Sequence, residues 1–433
     1  MPDIASPDRN PPAPFACLVV GGGPAGLFAA VSCADALAGR GLPPEARRVA
    51  VLEKGPRAGR KLLASGSGQC NLTHDADAEE LLDHYGGPEK GRFLKPALHA
   101  FPPLALLAWF RERSLEFSVE ANGKVFPASR KALDVLRVLE AEALALGVEI
   151  RPGARAASVA RYGDAFAVAA DGSPEPLRAL TLVLATGGRS YPKLGSEGDG
   201  YALAAALGHR LVEPRPALAS LSVKDYRFAD YAGLSFPGAR FSVRRGGRKS
   251  AEHSGDVLLT HEGLSGPGIL DASRGITPGD SVELELAGLS PEAFRERLSA
   301  ELSRAPTAYV KNAVASCGVP KRLAEGLVEM AGAEPWVTGA TLRREHREAL
   351  VRLTAACPFE VEALAPWDEA MATAGGVALA DVSPKTMESR LAPGLYFAGE
   401  LLDLDGDSGG YNLQAAFSTG ALAGRSAAAK LSV

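Results

Sequence analysis

Gly21, Gly23 and Gly26 carry a spacing that suits one piece of chemistry, the holding of a dinucleotide. In Gly21-x-Gly23-x-x-Gly26 the first glycine permits a tight turn. The second lets a pyrophosphate approach the backbone, and the third lets a helix sit against a strand. Pro24 and Ala25 complete the turn into that helix, whose free N–H groups and positive dipole end face the phosphates. Glu53 ends the next strand, with Lys54 after it. A carboxylate there accepts hydrogen bonds from ribose hydroxyls and repels a 2′-phosphate. The acid comes later than the roughly 20 positions such a turn expects. The excess falls in a loop around 39–48 with Gly41, Pro43 and Pro44, read as a surface insertion.

Further along, Arg60 and Lys61 precede a glycine-rich loop containing Gly66, Ser67, Cys70 and Asn71. Two cations with such a loop suit a second approach to a pyrophosphate and a flat ring. Thr186, Gly187 and Gly188 end a strand. Near the C-terminus Gly399 and Glu400 end another, and Gly410, Tyr411, Asn412, Leu413 and Gln414 open the last helix. That helix start suits negative charge on a reduced flavin. Two residues are candidate proton donors. His261 lies in a Gly-rich turn, with hydrogen bonding of that turn as its structural alternative. Tyr191 lies beside Gly188, with ring packing as its alternative. Cys70 has no partner thiol; position 74 is His74 and position 75 Asp75, so it reads as a packing thiol. The histidines lack metal-ligand spacing, and no metal is expected.

The elements that must position these residues follow from periodicity. Ala16–Val20 and Arg48–Glu53 read as buried parallel strands around an Ala-rich helix, a βαβ unit opening a doubly wound sheet. Ser129 is the expected N-cap of a helix running to Leu146. After residue 206 short β patterns are broken by Gly and Pro, and 290–348 is strongly helical. The fold class is therefore α/β, a split Rossmann-like domain with a β-rich insert and a helical subdomain. The boundaries are 15–205 with 375–433 for the dinucleotide domain, 206–288 with 349–374 for the insert, and 289–348 for the helices. Residues 1–14 form a Pro-rich leader.

Composition excludes several classes. The chain of 433 residues carries 47 Lys plus Arg against 51 Asp plus Glu, too balanced for a protein built to coat nucleic acid or an anionic membrane. Arg240, Arg244, Arg245, Arg248 and Lys249 form one local basic cluster, read as solvated surface. The five cysteines form no CxxC pair, which fits a reducing cytoplasm rather than a disulfide framework. No uninterrupted apolar run of membrane-spanning length stands out, so a soluble protein is expected.

Five segments occur together: GRKLLASGSGQCNLTH, LATGGRSYPKLGSEGDGY, LTHEGLSGPGIL, TAGGV with SPKTMESRL, and GLYFAGELLD with GGYNLQAA. In this order they resemble the BaiN-like NAD(P)/FAD-dependent oxidoreductases. These bacterial flavoproteins include bile-acid-intermediate reductases and aminoacetone-oxidase-like enzymes. The resemblance covers the chain from about Cys17. It implies FAD, with Gly21, Gly23, Gly26 and Glu53 on its ADP half. It also implies Arg60, Lys61 and Gly66–Asn71 along the cofactor, with Thr186–Gly188 close to it. Glu400 would meet the ribityl or pyrophosphate side and Gly410–Gln414 the isoalloxazine. Gln69 stands where the family usually has Arg, and Asp405–Ser408 make an acidic approach to the last helix; both bear on substrate choice.

The expected function is hydride transfer through flavin between a small organic substrate and either NAD(P)H, as a transient substrate, or dioxygen. With a single dinucleotide fingerprint in the chain, a nicotinamide has no domain of its own. The alternatives are a folate- and FAD-dependent tRNA-modifying transferase and a flavin-binding protein without turnover. Neither substrate identity nor oligomeric state follows from the sequence.

Overall fold

The computed structural model describes residues 13–431, so most of the leader lies outside the described residues. The chain divides into two compact units. One holds the residues up to Arg215 and those from Ala372 onward; the other is Pro216–Met371.

The first unit is built on a seven-stranded sheet. Every residue of the first strand, Phe15–Val20, is buried. A parallel strand covered on both faces needs such an unbroken apolar run. It pairs in parallel with Val49–Glu53 on one side and Leu177–Leu184 on the other. Glu149–Pro152 extends the sheet beyond Val49–Glu53. The strand Leu177–Leu184 divides its free edge. Its first half pairs antiparallel with Ala165–Ala170, and its second half takes the C-terminal strand Leu395–Phe397 in parallel. The chain thus leaves this unit and returns to the middle of its own sheet.

Two helices cover the strand ends that matter. Pro24–Ala38 follows the fingerprint, and the closing helix Tyr411–Lys430 lies against it. Their backbones touch through Gly420 and Gly424. A Cβ at these positions would come within 2.4 Å of the Ala25 carbonyl oxygen and 2.2 Å of that of Ala29. Four residues apart, the two glycines share one helix face. The helix expected to start at Ser129 runs instead over Ala132–Ala145, with Lys131 at the N-cap and no side-chain cap. Among the described residues one segment, Pro88–Arg111, is long and apolar enough to cross a membrane. Here it is two helices broken at Phe101 and Pro102, half of it buried within the protein.

The second unit is a closed six-stranded barrel. Its order is Leu221–Val223, Gly263–Ser265, Arg248–Leu259, Ser235–Arg245, Ser281–Leu284 and Cys357–Leu364, all antiparallel. The helical segment does not stand apart from it. Phe294, Leu298 and Leu327 are buried in one cluster with the barrel residues Val282, Leu284 and Phe359. Barrel and helices therefore share one core.

Candidate functional site

The three fingerprint glycines do different work. Gly21 has φ +108°, and a Cβ on it would stand 2.4 Å from the Ala185 carbonyl oxygen. A Cβ on Gly26 would reach 1.9 Å from the Gly21 carbonyl oxygen, so only glycine lets the helix seat against the strand. Gly23 is the opposite case: its Cβ would meet nothing within 4 Å. It is the N-cap of Pro24–Ala38 and supplies no side-chain cap, with Pro24 in the first turn and Ala25 buried behind it. Open space in front of uncapped helix amides is where an anion binds.

Glu53 is anchored on the same turn. Its carboxylate accepts from the Gly22 amide at 2.9 Å and the Gly55 amide at 2.6 Å. These bonds fix the turn and the carboxylate together. Beside it opens a cleft lined by Gly21, Glu53, Lys54, Arg155, Thr186 and Asp199, among others. Thr186 lines the cleft, but its Oγ1 is turned away and buried against Gly200, where a Cβ would lie 1.9 Å from it. Open glycine, uncapped amides and anchored acid together fit the ADP half of a dinucleotide.

Lys54, Arg60 and Lys61, which follow this strand, are engaged. Lys54 pairs with Asp199 at 2.6 Å and Glu197 at 2.9 Å, and Arg60 donates to the Lys193 carbonyl at 2.7 Å. Lys61 donates to Glu400 at 2.6 Å and to Ser190 Oγ at 2.5 Å. Ser190 Oγ and the Thr373 amide both donate to the other Glu400 oxygen, at 3.1 and 2.7 Å. Thr373 Oγ1 in turn accepts from the Arg189 and Ser190 amides. Gly188 makes room for this, since a Cβ there would come 2.3 Å from Thr373 Oγ1. Gly187 supplies the preceding turn with φ +76°. Sequence reasoning missed Ser190 and Thr373. Both sit in the quoted motifs, but their meeting spans more than 180 residues of chain, which no local pattern encodes.

The loop before the small strand Thr73–His74 is left-handed at Gly66, Ser67 and Cys70, with φ of 55°, 55° and 60°. Gly66 and Ser67 are exposed, and Asn71 is half-buried. Cys70 is fully buried, and burial pushes its thiol up to about 12. At neutral pH it stays protonated and is a poor nucleophile.

At the closing helix, Gly399 (φ +71°) lets the chain pass 2.8 Å, as a Cβ would measure it, from the Ala25 Cβ. Gly410 (φ +100°) is filled by the protein itself: a Cβ would lie 2.5 Å from the Thr73 carbonyl oxygen. The Tyr411 ring is stacked between His84 at 4.2 Å and His74 at 5.1 Å. Asn412 bonds both backbone groups of Gly406 at 2.8 Å. Leu413 is half-buried among the core residues under this helix. Gln414 is fully buried; it accepts from Thr73 Oγ1 and donates to the Phe101 carbonyl and Ser418. The Asn412 and Gln414 side chains are thus committed to holding the loop and helix in place.

The two candidate proton donors lie in different units. Tyr191, at φ +57°, precedes the short turn Pro192–Leu194 next to Ser190. His261 is exposed in the turn between Arg248–Leu259 and Gly263–Ser265 of the barrel. The basic cluster of the barrel is largely neutralised. Arg240 pairs with Glu285, Arg244 with Glu283, Arg245 with Asp280 and Lys249 with Glu252, all within 2.8 Å. Among the described residues no group of three His, Cys, Asp or Glu could hold a metal ion.

Comparison with known proteins agrees with this geometry. Residues 15–426 match the HI0933-like protein Rossmann domain. The chain is 34% identical over 417 residues to the 3-dehydro-bile acid delta(4,6)-reductase of Clostridium scindens, covering 95% of this chain and 98% of that one. It is 31% identical over 411 residues to the ribosomal RNA dihydrouridine synthase of Escherichia coli, covering 94% and 96%. Among solved structures, the 3-ketosteroid-delta4-(5alpha)-dehydrogenase of Rhodococcus jostii RHA1 shares the fold. It has a TM-score of 0.51 and 17% identity, over 98% of this chain and 99% of that one. The match over residues 15–426, on a split mixed sheet that carries the fingerprint turn, places this chain in the HI0933-like Rossmann family.

Proposed function

We propose that this protein is a FAD-dependent oxidoreductase that reduces a carbon–carbon double bond conjugated to a carbonyl in a small organic molecule. The observation that carries the cofactor is the fingerprint turn, with open space at Gly23 before uncapped helix amides and a cleft beside the anchored Glu53. Gly21–Gly26 would hold the diphosphate and Glu53 the adenosine ribose, with the chain at Thr186 passing close by. Lys61, Glu400, the Gly66–Asn71 loop and the backbone at Gly410 and Tyr411 would border the other half. When bound, FAD supplies a two-electron carrier whose potential the protein sets through such neighbours.

The substrate class rests on what the names of the relatives share. A delta(4,6)-reductase of a 3-dehydro-bile acid and a dihydrouridine synthase both remove a double bond conjugated to a ring carbonyl. Reduction of such a bond needs a proton as well as a hydride. Tyr191 and, as the alternative, His261 are the candidates for that task. The paired state of the barrel cations favours the small molecule over RNA, because charges matched by carboxylates release few counterions on binding a phosphate chain. The electron donor in this reading is NAD(P)H, arriving and leaving before the second substrate. Five free cysteines, all buried, suit a cytoplasmic setting.

The test is anaerobic. The protein is reduced with NADH or NADPH while flavin absorbance is followed, then mixed with a conjugated cyclic enone or with ribosomal RNA. Reoxidation by the enone, with parallel double-reciprocal lines when donor and acceptor are varied, is expected. Dihydrouridine formation with no response to enones would replace the small molecule by RNA. Reoxidation by dioxygen alone would make the enzyme an oxidase.

A further inference from the structure

The segment after strand Leu177–Leu184 is fastened along its length by cations from the segment after Val49–Glu53. Lys61 holds Ser190, Arg60 holds the Lys193 carbonyl, and Lys54 holds Glu197 and Asp199. Between these points the backbone bonds are local turns: Leu194 N to Tyr191 O, Gly195 N to Pro192 O, and Tyr201 N to Gly198 O. Gly195 and Gly198 have φ of +109° and +87°, conformations glycine reaches without strain. Lys54, Gly195 and Asp199 all line the cleft beside Glu53. The Lys54–Asp199 contact therefore ties one wall of the cleft to the other. Both side chains are about one-fifth exposed, and Arg155 adds a second bond to Asp199 at 3.0 Å. Burial raises the Asp199 carboxyl, but Lys54 and Arg155 outweigh it and hold it below the usual carboxylate range, so the fastening is ionised at neutral pH.

We propose that residues 190–199 form a strap across the bound dinucleotide, and that Lys54 with Glu197 and Asp199 is its fastening. The inference rests on the reading of this cleft as the FAD site. A cofactor of that size needs a path in and out. Glu197 is about half exposed, so its pair with Lys54 is weak and screened by salt, which suits a joint that must open. A rigid wall held by sheet bonds would offer no such path.

FAD itself is the probe, with flavin fluorescence followed by stopped flow in both directions. The variants are Glu197→Gln with Asp199→Asn, and separately Lys54→Met. Loss of a gate speeds entry and exit together, whereas loss of a simple contact speeds exit alone. Association and dissociation are therefore both expected to rise, by about threefold to tenfold, with a smaller change in Kd. Dissociation from the wild type should quicken with salt, and that response should flatten in the variants. Unchanged rates, or a rise in dissociation alone, would overturn the strap and leave the cofactor reading intact. A wild-type protein that binds no FAD would overturn both.

Discussion

Two helices of the first unit start alike and end up with different duties. Pro24–Ala38 begins after Gly23 and Tyr411–Lys430 after Gly410, and neither glycine provides a side-chain cap. In front of Gly23 there is open space. At Gly410 a Cβ would press on the Thr73 backbone at 2.5 Å. The first glycine leaves room for a ligand. The second lets the chain fold against itself, and its neighbours Asn412 and Gln414 are spent on loop and helix contacts. A glycine at a helix start thus marks a close approach without saying whose atoms approach.

The comparison can be broken by substitution. Gly26→Ala should have the largest effect, since its methyl would meet the Gly21 carbonyl at 1.9 Å within rigid backbone. A loss above about 3 kcal/mol and no retained cofactor are expected in thermal unfolding and absorbance. Gly410→Ala combines φ +100° with the Thr73 clash and should cost about 2–4 kcal/mol, with cofactor lost only through unfolding. Gly23→Ala is the counter-case. At φ −77° and ψ −178° alanine is at ease, so stability should move by less than about 0.5 kcal/mol. FAD affinity should nevertheless fall at least roughly tenfold, because the methyl stands where the diphosphate must come close. Equal stability losses at positions 23 and 410 would erase the distinction. The smallest effect is expected for Cys70→Ser. With its thiol pushed up to about 12, turnover should persist, and complete loss with FAD still bound would restore a chemical role.

These cases show what was legible in the sequence. The fingerprint, the first two strands and the return of the sheet near Leu395 rest on local spacing and apolar runs, which physical rules read directly. The meeting of Lys61, Ser190, Thr373 and Glu400 was not legible, because four separate segments contribute one group each. Nor was the single core of barrel and helices. Amphipathic patterns say that a face is buried, not against what. The cap at Ser129 misled for a related reason: a capping residue type raises the odds of a start, but the helix here starts after Lys131 with no side-chain cap at all.

The central claim is that the cleft beside Glu53 holds FAD. The most direct measurement is to denature the purified protein, or the protein reconstituted with FAD and desalted, and identify the released nucleotide by chromatography and mass. The account predicts FAD at close to one per chain, and a yellow protein before denaturation. Release of NAD alone, or of no nucleotide after reconstitution, would contradict it.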